Sequence, residues 1–258
     1  MKKLAAIASI ALLTASAAAS AAEIWNHPFS VSGQLRWDGF DAGSTSVKVR
    51  NTADQVQYNG SGGQFKGYFY TDEGKNADEF FRFFCIDLSQ VAAGGPFTYL
   101  ASSYQNDAVA RLFDIAYPNK PLGDFYDGAA TAFGAFASGV LSSAFQLALW
   151  EVFFETEPSF SLTAGTFFSG ISPNPAGQDR EKAVAQADAW LAQVNRGEGS
   201  EAGWTLYRFT NDSKQDYLSA VYREPPQTTT ERTVPEPGTL AMLGLGIAAL
   251  GAIRMRRR

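Results

Sequence analysis

Histidine and cysteine are almost missing from this 258-residue chain: His27 and Cys85 are the only ones. A catalytic triad needs a histidine base, and a zinc site built from imidazoles needs several, so both chemistries are excluded. His27, beside Pro28, reads as a surface residue rather than a catalyst. One cysteine leaves no intramolecular disulfide, and Cys85 lies too far from the N-terminus to be a lipid-bearing cysteine. Positive charge is also scarce. Of 21 Lys and Arg, Lys2, Lys3 and four arginines at the extreme C-terminus lie outside the body of the chain. This leaves 15 against 25 acidic residues once Glu236 is set aside, a net charge of −10. Such a body does not bind nucleic acid, whose phosphates require cations, and does not adhere to anionic lipid. No internal repeat or low-complexity tract is present. With 45% apolar and 14% aromatic residues, the chain has material for a packed core.

Both ends carry targeting information. Residues 1–22, "MKKLAAIASIALLTASAAASAA", place Lys2 and Lys3 before an apolar stretch and then small residues. That is the layout of a secretory signal peptide cleaved before Glu23. At the other end, 238–253 is an apolar run without a charge, followed by the basic tail 254–258 with four arginines. Sixteen helical residues span about 24 Å, a short but credible transmembrane helix against a hydrocarbon core of roughly 30 Å. The arginines hold its end in the cytoplasm. Ahead of it stands Val234-Pro235-Glu236-Pro237, whose prolines keep the segment extended and accessible.

Pro235, Glu236 and Pro237, the short apolar helix and the arginine cluster together resemble the PEP-CTERM sorting signal of Gram-negative bacteria. The resemblance implies recognition by an exosortase-type membrane protease. It also implies a transient stay in the inner membrane through 238–253, then transfer to the cell surface or exterior, in systems that accompany exopolysaccharide production.

The expected body is 23–223, joined by a polar linker, 224–233, to the sorting signal, 234–258. From Ile24 to about Leu88 the text alternates apolar and polar residues between Gly, Asn and Asp, as strands do. "EFFRFFCIDL" is dense enough for a strand buried on both faces. Helical spacing then predicts helices over 104–117, 129–155 (broken near Gly139) and 181–194. "SFSLTAGTFF", "AGWTLYRFT" and "QDYLSAVYRE" read as returning strands. The fold class is α+β, a β-rich sandwich or barrel with an inserted helical portion.

Acidic residues offer little chemistry. Asp38 and Asp41, and the group Asp72, Glu73, Asn76, Asp78 and Glu79, lack the spacing of a calcium loop. Glu151, Glu155 and Glu157 suggest a glycosidase pair only weakly, because carboxylate separation is not readable from sequence. No metal site and no cofactor is expected, and the chain is not expected to be an enzyme.

The one cysteine has a second segment to be read with. In "SSAFQLALWEVFFE" (142–155), Gln146 and Trp150 share a helix face that is otherwise apolar, and a glutamine there needs hydrogen-bond partners. Phe84-Cys85-Ile86 together with Phe145-Gln146-Leu147-Ala148-Leu149-Trp150 resembles the bacterial thioester domain family. The resemblance implies that the Cys85 sulfur bonds to the side-chain carbonyl of Gln146 with loss of ammonia. Phe84 and Trp150 would form the pocket, and an amine- or hydroxyl-bearing surface or polysaccharide partner would open the bond. The alternative is a non-reactive matrix protein in which Cys85 and Gln146 only pack.

Overall fold

The computed structural model describes residues 30–52, 57–70, 80–90, 92–119, 135–169 and 178–222. The chain divides into two units, Met1–Arg223 and Glu224–Arg258. The second unit lies outside the described residues, and with it the linker, Pro235, Glu236, Pro237 and the apolar run 238–253. The expected signal peptide, His27 and the acidic group 72–79 lie outside them too. Among the described residues, no helix is long and apolar enough to cross a membrane.

Six antiparallel strands close a barrel in the order β1 (Ser30–Phe40), β4 (Phe65–Tyr70), β5 (Phe80–Cys85), β9 (Tyr217–Tyr222), β8 (Trp204–Thr210) and β6 (Phe97–Tyr104). A smaller sheet holds β2 (Thr45–Asn51) between β3 (Gln57–Gly62) and the two-residue β7 (Phe167–Phe168). Among the described residues three helices are inserted: α1 (Asp107–Ala116), α2 (Gly139–Phe154) and α3 (Gln178–Asn195). The β-rich α+β expectation therefore resolves as a barrel.

Strand alternation builds the barrel core. On β5, Phe81 and Phe83 face inward, where Phe83 lies 4.8 Å from Tyr217 and 5.7 Å from Phe65 by ring centroids, and Phe81 lies 5.2 Å from Phe209. Phe84, of opposite parity, turns outward to Phe145 at 4.5 Å and to Phe113 at 6.2 Å on the helices. β5 is thus buried on both faces, as its composition suggests. The exception, Arg82, is neutralised by an ion pair with Asp41, which Lys66 also approaches at 3.7 Å.

Helix boundaries follow capping chemistry rather than apolar spacing alone. α1 begins at Asp107 because the Asn106 side chain accepts a hydrogen bond from the Val109 amide at 3.0 Å, so Tyr104 belongs to β6. β6 itself has no counterpart in the sequence reading, yet it pairs with both β1 and β8 and closes the barrel. α2 starts at Gly139 behind an N-cap at Ser138, within the predicted 129–155, of which 129–134 lie outside the described residues. α3, Gln178–Asn195, extends the predicted 181–194 by one turn at its start and ends one residue beyond it. The strand expected over "SFSLTAGTFF" shrinks to β7, because Glu155 takes up the backbone amides of this loop, leaving only two residues to pair with β2.

α2 is the keystone for the site. Every residue from Ser142 to Val152 is buried, so its polar residues must find partners inside the protein. Ser142 Oγ accepts from the Gln64 amide at 2.7 Å. Ser143 Oγ accepts from the Thr45 amide at 2.7 Å and donates to the Gly62 carbonyl at 2.5 Å. Gly62 is a close approach: a Cβ there would sit 2.9 Å from Val47 Cγ2 and 3.4 Å from Gln146 Cγ.

Candidate functional site

Cys85 ends β5 and Gln146 lies mid-way along α2, and the fold brings them into direct contact. Gln146 Oε1 accepts a hydrogen bond from the Cys85 amide at 3.0 Å, while Gln146 Nε2 donates to the Cys85 carbonyl at 2.8 Å. The glutamine side chain thus continues the ladder that β5 would otherwise leave open, and both ends of its amide are fixed. Gln146 is fully buried and Cys85 nearly so. The two-point contact defines the orientation of the carboxamide, which a single hydrogen bond would not.

A cavity of about 180 Å3 opens over this pair at one end of the barrel, where β1 and β5 finish and β4 and β9 begin. Cys85, Phe40, Phe65, Trp37 and Gln215 form its barrel side, and Gln146 and Trp150 of α2 its floor. Tyr58, Ser61 and Gly62 of β3 close the third side. Trp37 and Phe40 reach it because the β1–β4 register shifts between them at Gly39, whose φ of +105° belongs to glycine. Tyr58 packs edge-on against Trp150 at 5.3 Å. The indole N–H groups of Trp37 and Trp150 are both buried without a hydrogen-bond partner among the described residues.

The electrostatics keep the thiol protonated. Burial pushes the Cys85 pKa well up, and the nearby Asp87 carboxylate adds to the shift. A buried neutral thiol is a poor target for passing oxidants and alkylating agents.

Of the residues expected in the pocket, Trp150 lines it and Phe84 does not. The correction has a simple cause. Adjacent strand residues point to opposite faces, so the residue before an inward cysteine packs outward against Phe113 and Phe145. The other walls, Tyr58, Phe40 and Trp37, were not singled out from sequence. Nothing in a linear reading joins β3 and the end of β1 to α2; the Gly62-Gly63 pair, which lets β3 approach α2, is the only hint.

Asp38, Glu151 and Glu155 have structural partners. Asp38 pairs with Arg36 at 3.3 Å. Glu155 accepts hydrogen bonds from Thr166, Phe167, Thr156 and Glu157; although burial acts to raise its pKa, these bonds hold it below the usual value. Glu151 is wholly buried, accepts from the Ser161 amide at 2.6 Å, and is raised to about 8 by burial.

Comparison with known proteins adds two findings. Residues 233–258 match the PEP-CTERM protein-sorting motif. That motif implies processing by an exosortase, a membrane protein, and export towards the cell surface. No curated protein matches the chain. Among solved structures, it is similar to the N-terminal thioester domain of a surface protein from Clostridium perfringens, determined as a cysteine-to-alanine variant. The identity is 10% and the TM-score 0.34, over 68% of this chain and 99% of that one. A likeness of that size carries no argument for the site, which stands on its own geometry.

Proposed function

We propose that this exported, exosortase-sorted protein forms an internal thioester between Cys85 and Gln146, and that opening of this bond attaches it covalently to a surface or matrix partner. The observation that carries the reading is the pair of hydrogen bonds locking the Gln146 carboxamide onto the Cys85 backbone.

The chemistry follows from that lock. The Cys85 sulfur attacks Gln146 Cδ, the C–S bond forms, and the C–N bond breaks. Nε2 leaves as ammonia carrying the thiol proton. During attack the carbonyl oxygen gains negative charge, and the Cys85 N–H already donates to it, so that donor acts as an oxyanion stabiliser. Holding both groups in one buried site makes the attack intramolecular, which is where a weak acyl donor such as an amide gains most. The aromatic walls around the pair keep bulk water from the product.

A second reading is supported by the raised thiol pKa: Gln146 only caps β5, and Cys85 packs as a small apolar residue in a structural matrix protein. Thiol labelling separates the two. With the bond in place, iodoacetamide in denaturant leaves Cys85 unlabelled until hydroxylamine cleaves the thioester, after which labelling approaches one per chain. Full labelling without hydroxylamine removes the thioester reading and leaves the packing one.

A further inference from the structure

The walls of the cavity over Cys85 and Gln146 are not held equally. Cys85, Gln146 and Trp150 are buried at its base, whereas Trp37, Phe40 and Tyr58 are only half-buried and stand at its mouth. Two of these three rings are pinned to the barrel. Phe40 stacks on Phe65 at 4.5 Å, Trp37 meets the same ring edge-on at 5.1 Å, and Phe65 is stacked on Phe83 behind it.

Tyr58 is held by much less. Its ring rests edge-on against Trp150 at 5.3 Å. Its hydroxyl donates to the Ser61 carbonyl of its own strand at 2.7 Å, an exposed bond that water can replace. The ring reaches Ser61 only because residue 60 has no side chain: a Cβ on Gly60 would sit 2.7 Å from the Tyr58 hydroxyl. β3 itself is the outer strand of its sheet, paired with β2 alone among the described residues.

We propose that Tyr58 is the gate to the Cys85–Gln146 site. Lying along β3 with its hydroxyl on Ser61, the ring closes the mouth; turned out to solvent, it opens the path by which a partner's nucleophile enters. This rests on the thioester reading for the bond that the nucleophile meets, but not for the gate. Moving Trp37 or Phe40 would break packing within the barrel core. Moving Tyr58 gives up one edge contact and one exposed hydrogen bond, so it is the wall that yields first. Closed, the ring shields the acyl carbon from water, and opening is then the step that admits the partner.

The test follows adduct formation on the folded full chain by intact mass, with methylamine and, separately, with iodoacetamide. If the thioester is present, the methylamine nitrogen attacks Gln146 Cδ, the C–S bond breaks, an amide forms and the amine proton passes to the sulfur. If the thiol is free, iodoacetamide alkylates Cys85 instead. Which adduct forms therefore judges the thioester, and its rate across variants judges the gate in either case. Tyr58→Ala is expected to raise the rate roughly ten-fold, since ring contact and hydrogen bond are both lost. Tyr58→Phe keeps the ring and loses only the bond, for a gain of about three-fold. Gly60→Ala, which leaves Tyr58 in place but displaces its hydroxyl from Ser61, is expected to match Tyr58→Phe. Leu112→Ala in α1 loosens the buried core away from the cavity wall and is expected to leave the rate unchanged. Equal rates in the parent and Tyr58→Ala, or a gain in Leu112→Ala as large as that in Tyr58→Ala, overturn the gate.

Discussion

Replacing Gln146 with methionine in a Cys85→Ala background is expected to destabilise the body by about 3–5 kcal/mol, because two buried backbone groups at 1–3 kcal/mol each lose their partners. The alanine background ensures that no covalent bond contributes to the comparison. Methionine nearly preserves volume, so the loss reports the hydrogen bonds rather than a cavity. The groups left behind are the N–H and C=O of residue 85, now bonded to Gln146 at 3.0 and 2.8 Å inside a fully buried site. For a domain of this size, that corresponds to a melting temperature lower by roughly 10 °C. Gln146→Glu gives a distinct signature. One carboxylate oxygen still accepts from the residue-85 amide, but the other faces its carbonyl, and only a protonated acid restores a donor there. Stability of that variant is therefore expected to fall as pH rises from about 5 to 8, whereas the methionine variant shows no such added slope. A melt unchanged by either substitution would mean that Gln146 does not clamp β5.

The second large effect concerns Glu151, one residue beyond Trp150. Its carboxyl is raised to about 8 by burial, against the opposing pull of the Ser161 amide and with added repulsion from Glu155 and Asp188. The sign follows from proton counting. Between the ordinary carboxylate range and about pH 8, the folded state holds a proton that the unfolded chain has released, so stability is full at acid pH and declines as pH rises towards 8. Glu151→Gln keeps an acceptor for Ser161 and removes the titration. It is expected to be more stable than the parent above pH 8 by on the order of 2–4 kcal/mol, and equal to it near pH 4. Urea midpoints at the two pH values check this; parallel pH profiles for the parent and Glu151→Gln would show that Glu151 is ionised at neutral pH. These partners also give Glu151 and Glu155 structural roles in the 155–167 loop, in place of the glycosidase pairing that the sequence suggests only weakly.

The site's two central residues were legible because each is anomalous in its own segment. Cys85 is a lone thiol in an exported chain, and Gln146 a carboxamide in an apolar helix. Their surroundings were not legible, for identifiable reasons. α2 is buried on every side, so apolar periodicity does not say which side Gln146 faces; only the serines and their distant partners Thr45, Gly62 and Gln64 fix its rotation. β6 went unread because its inward positions are few: Tyr99 and Ala101 are buried while Thr98, Leu100 and Ser103 are exposed, and its place in the sheet is fixed by β1 and β8 far away in sequence. The pocket assignment of Phe84 failed on strand parity, which the run of four phenylalanines in "FFRFF" conceals. Tyr58, Phe40 and Trp37 converge through a hairpin and a bulge whose consequences are tertiary.

The most direct measurement is the intact mass of the folded chain recovered from the cell exterior. Expected is a mass lower than the sequence of its own termini by one ammonia, restored to the unmodified value plus one water after hydrolysis minus that ammonia, and abolished as a deficit in Cys85→Ala. A mass equal to the unmodified sequence, with Cys85 present as a free thiol, would contradict the thioester and leave Gln146 as the structural cap of β5.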